Sequence, residues 1–206
     1  MRTRSIRTSK QADELDFIGD HLAIDFVNTV RVVDGEVTDT LRSDGDVKVW
    51  LGLAAAPVAP KPAPWPAGAL LEAARRLREA TLKAIEAKKA GRRPSLKVIN
   101  AFLESSASRG RLVARAESSL EFRRVYRGET PEEYLLPVTE AVAELLAEGD
   151  FELVRRCASE QCVLWFYDRT KGHGRRYCTS TGCGNRAKVA AYRSRARGRA
   201  GDHGGP

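Results

Sequence analysis

No cysteine occurs in the first 156 residues of this 206-residue chain, and it holds only three histidines and one methionine. No apolar run approaches the ~18 residues that a membrane-spanning helix requires. The opening MRTRSIRTSK is basic but lacks the apolar stretch of a secretory signal. These absences predict a cytoplasmic protein with no membrane partner. The first 150 residues also lack a nucleophile–base pair, a carboxylate pair and a phosphate-binding glycine loop, so no enzymatic role is expected. An apolar share of 42% and a charged share of 30% are those of a chain that buries a core.

What the chain does have is concentrated at one end. Its net charge is +8, yet the first 150 residues carry as many acids as bases. From residue 151 onward there are 12 Lys and Arg against 4 Asp and Glu, so the whole surplus lies in the last quarter. With no apolar stripe to face lipid, that asymmetry points to nucleic acid as the partner.

All four cysteines share this quarter. Cys157 and Cys162 are separated by four residues, Cys178 and Cys183 likewise, with fifteen residues between the pairs. In a reducing cytosol two disulfides are not expected. Two short loops that each return to one point supply the tetrahedron of soft ligands a zinc ion takes. Four inert buried thiols and an iron–sulfur cluster are the alternatives, and His173, in KGHGRR, could replace one thiolate. Four thiolates leave no open position for a catalytic water, so the expected cofactor is one structural Zn2+. The aromatics Trp165, Phe166 and Tyr167 are expected to pack around the metal, with base stacking as the alternative. Asp168 is a candidate to orient Arg175 or Arg176, or a simple turn residue.

Beyond Cys183, NRAKVAAYRSRAR contains good helix formers and no proline, with Asn185 as a candidate N-cap. On a helix, Arg186, Ala190, Arg193 and Arg197 share one stripe, and Lys188, Arg195 and Arg199 another. Val189, Tyr192 and alanines are too few for a core face. Arg175, Arg176, Asn185, Arg186, Lys188, Arg193, Arg195 and Arg197 are therefore the candidate nucleic-acid contacts, weighed against a merely solvated basic tail.

The neutral part reads as mainly helical. FIGDHLAIDFVNTV (17–30) has the spacing of a buried helix, VDGEVTD that of a turn, and SDGDVKVWLGLA that of a capped helix start. A proline-rich connection spans 57–66. Leu70, Ala74, Leu77, Thr81 and Ile85 stripe a helix that Gly91 ends, and Ser95 is a candidate cap for another. Residues 110–128 read as a β-hairpin. Thr130, Pro131 and Glu133 mark a further helix start, and Pro137 a kink or restart.

The run from Arg156 to Arg197 resembles the CGNR zinc finger: paired cysteines, an aromatic-Asp-Arg centre, Arg-Arg-aromatic-Cys, then Cys-Gly-Asn-Arg-Ala-Lys. LAIDFVNTV is similar to the start of the ABATE domain, which precedes that finger in bacterial proteins described as stress-induced transcription regulators. The resemblance implies a helical N-terminal domain and a DNA-binding finger with ligands Cys157, Cys162, Cys178 and Cys183 and a signature turn at Gly184, Asn185 and Arg186. Tyr177 stands where the family often has tryptophan. Asp25 and Asn28, one turn apart in the ABATE-like stretch, are candidates to line an effector pocket, or to cap and hydrogen-bond internally.

The expected organisation is thus a disordered basic N-terminus (1–14), an ABATE-like helical domain (15–150), a finger with its basic helix (151–199) and a disordered tail (200–206). The expected fold is mainly α: a helical N-terminal domain with one β-hairpin, then a small four-cysteine zinc-finger module ending in a basic helix. The expected function is a nucleoid-associated, stress-responsive DNA-binding transcription regulator, with an RNA- or ribosome-associated zinc protein as the alternative. Its N-terminal domain would form a homodimer, sense an effector or touch the transcription machinery.

Overall fold

The computed structural model describes residues 17–33, 35–54, 56, 64–105, 109–114 and 119–201. The expectations for 1–14, 57–63 and 202–206 lie outside them. About half of the described residues are helical, and the strands form three two-stranded antiparallel sheets. The elements are α1 (Leu22–Val27), β1 (Val30–Val33), β2 (Glu36–Asp39), α2 (Asp44–Leu53), α3 (Ala69–Lys89), α4 (Lys97–Glu104), β3 (Arg109–Ala114), β4 (Leu120–Val125), α5 (Pro131–Tyr134), α6 (Leu136–Glu148), β5 (Val154–Arg156), β6 (Trp165–Tyr167) and α7 (Asn185–Gly201).

α3 is the backbone of the helical body. Leu70, Ala74, Leu77, Thr81 and Ile85 are all buried, as their spacing requires, and α1, α2, α4, α5 and α6 pack around them. Gly91, at φ +66, ends the helix in the left-handed conformation that glycine adopts without a Cβ penalty. Ser43 caps α2 through the Asp46 amide, and Thr130 caps α5 through the Glu133 amide with Pro131 in the first turn. The helix breaks at Leu135 and restarts into α6, with Pro137 in its first turn, where a missing N–H costs nothing. Trp65 lies edge-on to Tyr134 at 5.3 Å and donates its indole N–H to the Glu129 carbonyl.

Three local expectations are corrected. The helix expected over 17–30 is only α1, because Thr29 turns back onto the Phe26 carbonyl and the β-branched run at Val30 continues as a strand. What read as a turn is the far side of a second hairpin, in which Val32 pairs with Val37 and Val33 with Glu36. Ser95 makes no cap; α4 begins after Leu96 without a side-chain bond. The hairpin expected in 110–128 is present as β3–β4.

β2 is fastened to α3 by a buried cation. Arg78 donates to Thr29 Oγ1 at 2.7 Å and to both Asp39 oxygens at 2.8 and 2.6 Å. Burial opposes ionisation of Asp39, but the Arg78 bonds, the Leu41 amide and the charges of Arg78 and Arg75 together outweigh it and hold the carboxyl below its usual range.

Candidate metal centre

Each cysteine is delivered by backbone that another loop fixes. Cys157 leaves β5 with its amide bonded to the Leu164 carbonyl, and the Ala158 amide reaches the Arg176 carbonyl, tying the two cysteine loops together. Cys162 sits in a turn closed onto Ser159. Cys183 lies on a wide, π-helical turn (Ser180–Gly184) capped by Thr179, whose Oγ1 accepts from the Gly182 amide. That turn runs straight into α7. Asn185 (φ −67, ψ −44) is therefore already helical, and Thr179 takes the capping role expected of it. A Cβ at Gly184 would lie 3.1 Å from the Thr179 carbonyl oxygen, so glycine lets the turn close tightly.

The four thiols converge. All four residues are buried, and every sulfur lies within 4.8 Å of the others. Cys162 and Cys178 Sγ are 3.8 Å apart. A tetrahedron with bonds of about 2.3 Å has edges of about 3.8 Å, so the donor set fits a zinc ion in both chemistry and span. Their protons are shared: hydrogen bonding from Cys178 pulls the Cys162 thiol down to about 5, and the same contact pushes Cys178 up. Burial pushes the Cys157 thiol up as well, so Cys157 and Cys178 hold their protons until a cation displaces them.

Donors surround the sulfurs. The Cys178 amide points at Cys157 Sγ at 3.4 Å, and Arg186 Nη2 donates to Cys183 Sγ at 3.0 Å. Arg186, a candidate nucleic-acid contact, thus spends a donor on a metal ligand, which raises its own pKa. Phe166 is fully buried beside the sulfurs, with Ile18, Leu164 and Tyr177 around it. Trp165 and Tyr167 turn instead towards the helical body. His173 is an exposed loop residue whose Nδ1 meets the Asp168 carbonyl at 3.1 Å.

Asp168 and Arg175 are interior polar groups with separate tasks. Asp168 is fully buried; it accepts from Thr170 and the Arg175 amide and pairs with Arg155 at 3.2 Å. Burial opposes its charge, but those bonds hold the carboxyl below its ordinary value. The Arg175 guanidinium lies 4.3 Å from the Phe166 ring centre and donates to the carbonyls of Ile18, Tyr177 and Cys178 and to Asp20. Four of its five N–H donors are engaged. It clamps the finger to the chain ahead of α1.

Asn28 and Asp25 serve the same junction. The Asn28 side chain donates to the Trp165 carbonyl at 2.8 Å and accepts from the Trp165 amide at 2.9 Å, pairing with β6 as a neighbouring strand would. Asp25 Oδ1 accepts from the Gly19 amide at 2.7 Å, and the Gly19 carbonyl accepts from Tyr167. Asp25 also borders a shallow cleft with His21, Glu144 and Arg169.

Arg176 is exposed, as are Asn185, Arg186, Lys188, Arg193 and Arg195 on α7. Every described side chain from Lys188 to Ala196 is exposed, including Val189 and Tyr192. The helix is held at its first turns and presents Lys188 to Ala196 to solvent on all sides. The Arg197 side chain lies outside the described residues.

A buried four-thiol clip that carries a basic helix, seated on a helical body, defines a zinc-finger protein. The chain belongs to the ABATE family, described as "Putative stress-induced transcription regulator", whose family model matches residues 20–149; the CGNR zinc finger model matches residues 154–196. No curated protein matches the chain. Among the described residues, no helix is long and apolar enough to cross a membrane.

Sequence reasoning found the sulfurs from their spacing. For Asn28 it offered capping and internal hydrogen bonding beside an effector pocket, but not the Trp165 partner, and it missed the tasks of Arg175 and Arg186, whose partners become visible only in three dimensions. The Arg-rich composition around 175–176 signals charge without saying which cation is interior.

Proposed function

We propose that this protein is a DNA-binding transcription regulator in which one structural zinc ion fixes the turn at Cys183 and so aims α7 at DNA. The observation that carries this reading is the exposure of α7. A helix with like charges on both faces and too few large apolar residues for a core face is one that an anion stabilises by neutralising those charges. Lys188, Arg193, Arg195 and Arg197 supply the cations, and Arg side chains entering the major groove can read guanine edges. Arg186 holds the metal ligand. In this reading the protein acts on the nucleoid from the cytoplasm, performs no catalysis, and uses its helical body for effector sensing or self-association.

Binding of a labelled mixed-sequence duplex, followed by anisotropy across salt concentrations, tests it. Log affinity should fall linearly with log salt, by roughly 0.9 per phosphate contact, and the slope should flatten when Arg193, Arg195 and Arg197 become alanine. An unchanged slope in that variant removes α7 from the interface. Structured RNA that outcompetes duplex DNA replaces the substrate.

A further inference from the structure

A cleft of about 790 Å3 opens where the finger meets the start of the described chain. Its floor is apolar: Ile18 ahead of α1, Tyr177 beside a metal ligand, and Ala187 and Ala191 on successive turns of α7. Two cations stand at its edge, Arg176 and Lys188. Both are exposed, and neither pairs with a carboxylate among the described residues. Asp20 also borders the cleft, but Arg175 neutralises it. Thr179 and Ser180 add polar side chains to the lining. The volume falls in the range of ligand sites, and the cleft is open along one side, as an extended strand requires. An apolar floor bounded by unpaired cations complements a phosphate that carries a sugar and a ring. It does not suit a purely apolar segment.

We propose that this cleft receives one sugar–phosphate strand of the nucleic acid engaged by α7. Arg176 and Lys188 meet phosphate oxygens, while Ile18, Tyr177, Ala187 and Ala191 lie against sugar and base. The inference rests on the DNA-binding reading above and extends it, because the wall at Ile18 belongs to the chain ahead of the helical body. The interface is then composite. A strand in the cleft touches both parts of the protein, and any shift of residues 18–20 against the finger changes the width available to it.

The test uses the full zinc-loaded chain and a fluorescein-labelled mixed-sequence duplex. Ala191→Trp fills the cleft without changing charge, at an exposed position away from the sulfurs; zinc content and circular dichroism confirm that it folds. Its affinity should fall about tenfold, equivalent to ~1.4 kcal/mol. Arg176→Ala with Lys188→Ala should lower the salt slope by about two. A bromouracil-substituted duplex should crosslink to Tyr177 under ultraviolet light. Wild-type affinity in Ala191→Trp, or crosslinks that bypass Tyr177, overturns the cleft while the α7 reading stands. Failure of the wild-type protein to bind any duplex overturns that reading itself. Adenosine monophosphate that binds the wild type but not Ala191→Trp, with duplex affinity equal in both, also overturns the proposal and marks a site for free nucleotides.

Discussion

Among the described residues, the helical body is held by 23 buried residues from Ala23 to Trp165, whereas the finger's own core is four sulfurs, Phe166 and Ile18. In the first, each side chain contributes a small part, and removing one leaves a cavity in a structure that the others sustain. In the second, so little apolar surface is buried that a metal on the four sulfurs would supply most of the cohesion. The two cores also trade members across the sequence boundary. Val154 and Trp165 from the finger belong to the larger core, and Ile18, from the start of the described chain, belongs to the smaller. The finger is therefore a separately stabilised part of one folded unit rather than a bead on a string.

The largest expected effect comes from breaking the smaller core at a single atom. Cys162→Ser removes one ligand of a site whose zinc affinity, in finger peptides, is worth about 10–16 kcal/mol. Zinc content should drop to near zero, and amide exchange should open across β5, β6 and the turn at 180–184. Most of the far-ultraviolet helical signal should persist, since α1 to α6 lie in the other core. Collapse of that signal along with zinc loss would show that the two cores do not fold separately.

The junction is the next target. Asn28→Ala deletes both bonds to Trp165 and leaves a buried amide and carbonyl without partners, at a cost of roughly 2–3 kcal/mol. Zinc stoichiometry should stay at one while Trp165 fluorescence and exchange of its amide report a loosened β6. If stability is unaffected, the Arg175 clamp and the Tyr167–Gly19 backbone bond hold the parts together without Asn28.

Arg186 separates the metal from the interface. Arg186→Met removes the donor to Cys183 Sγ, and a chelator that changes colour should extract zinc about tenfold faster, in line with the loss of a supporting hydrogen bond at a metal site. A zinc ion held by four thiolates carries two net negative charges, which the guanidinium offsets. Unchanged extraction together with a salt slope lower by about one would return Arg186 to the nucleic-acid face.

The comparison of cores also explains what could be read from the sequence. Sulfur spacing is local and chemically exclusive, so the ligands were legible at once. The stripe from Leu70 to Ile85 and the Thr130–Pro131–Glu133 start were legible because periodicity and capping act over a few residues. β1–β2 was not, since two four-residue strands offer too little alternation to outweigh the helical spacing just before them. Nothing near Asn28 announces a partner 137 residues away. Arg175 and Arg176 are adjacent and identical in type, yet one is a clamp and the other faces solvent. That distinction is set by the direction of the loop, which depends on the Asp168 bond to the Arg175 amide.

The subtlest test of the junction is pH. His21 caps α1 by accepting the Ala23 amide on Nδ1 at 3.2 Å, and its ring stacks on Tyr167 of β6 at 6.2 Å, so it touches both parts. Only neutral imidazole has a lone pair for that bond, and a cation there would oppose the helix dipole. Burial and the nearby Arg169 lower its pKa from the ordinary 6.5, while Glu144 works the other way. Because the folded value lies below the unfolded one, the contribution of His21 is fully present above about 6.5. It is lost as pH falls from there through the folded value, where the unfolded chain takes up the proton first. A cap is worth about 1 kcal/mol, and solvent screening of this half-buried ring leaves only a fraction of that to titrate. His21→Asn keeps an N-cap without the titration, so melting curves of the two proteins should agree near neutrality and diverge below about pH 6.5, with the wild type falling further. Parallel curves down to the pH at which the thiolates release zinc would show that the ring packs on Tyr167 without acting as a cap.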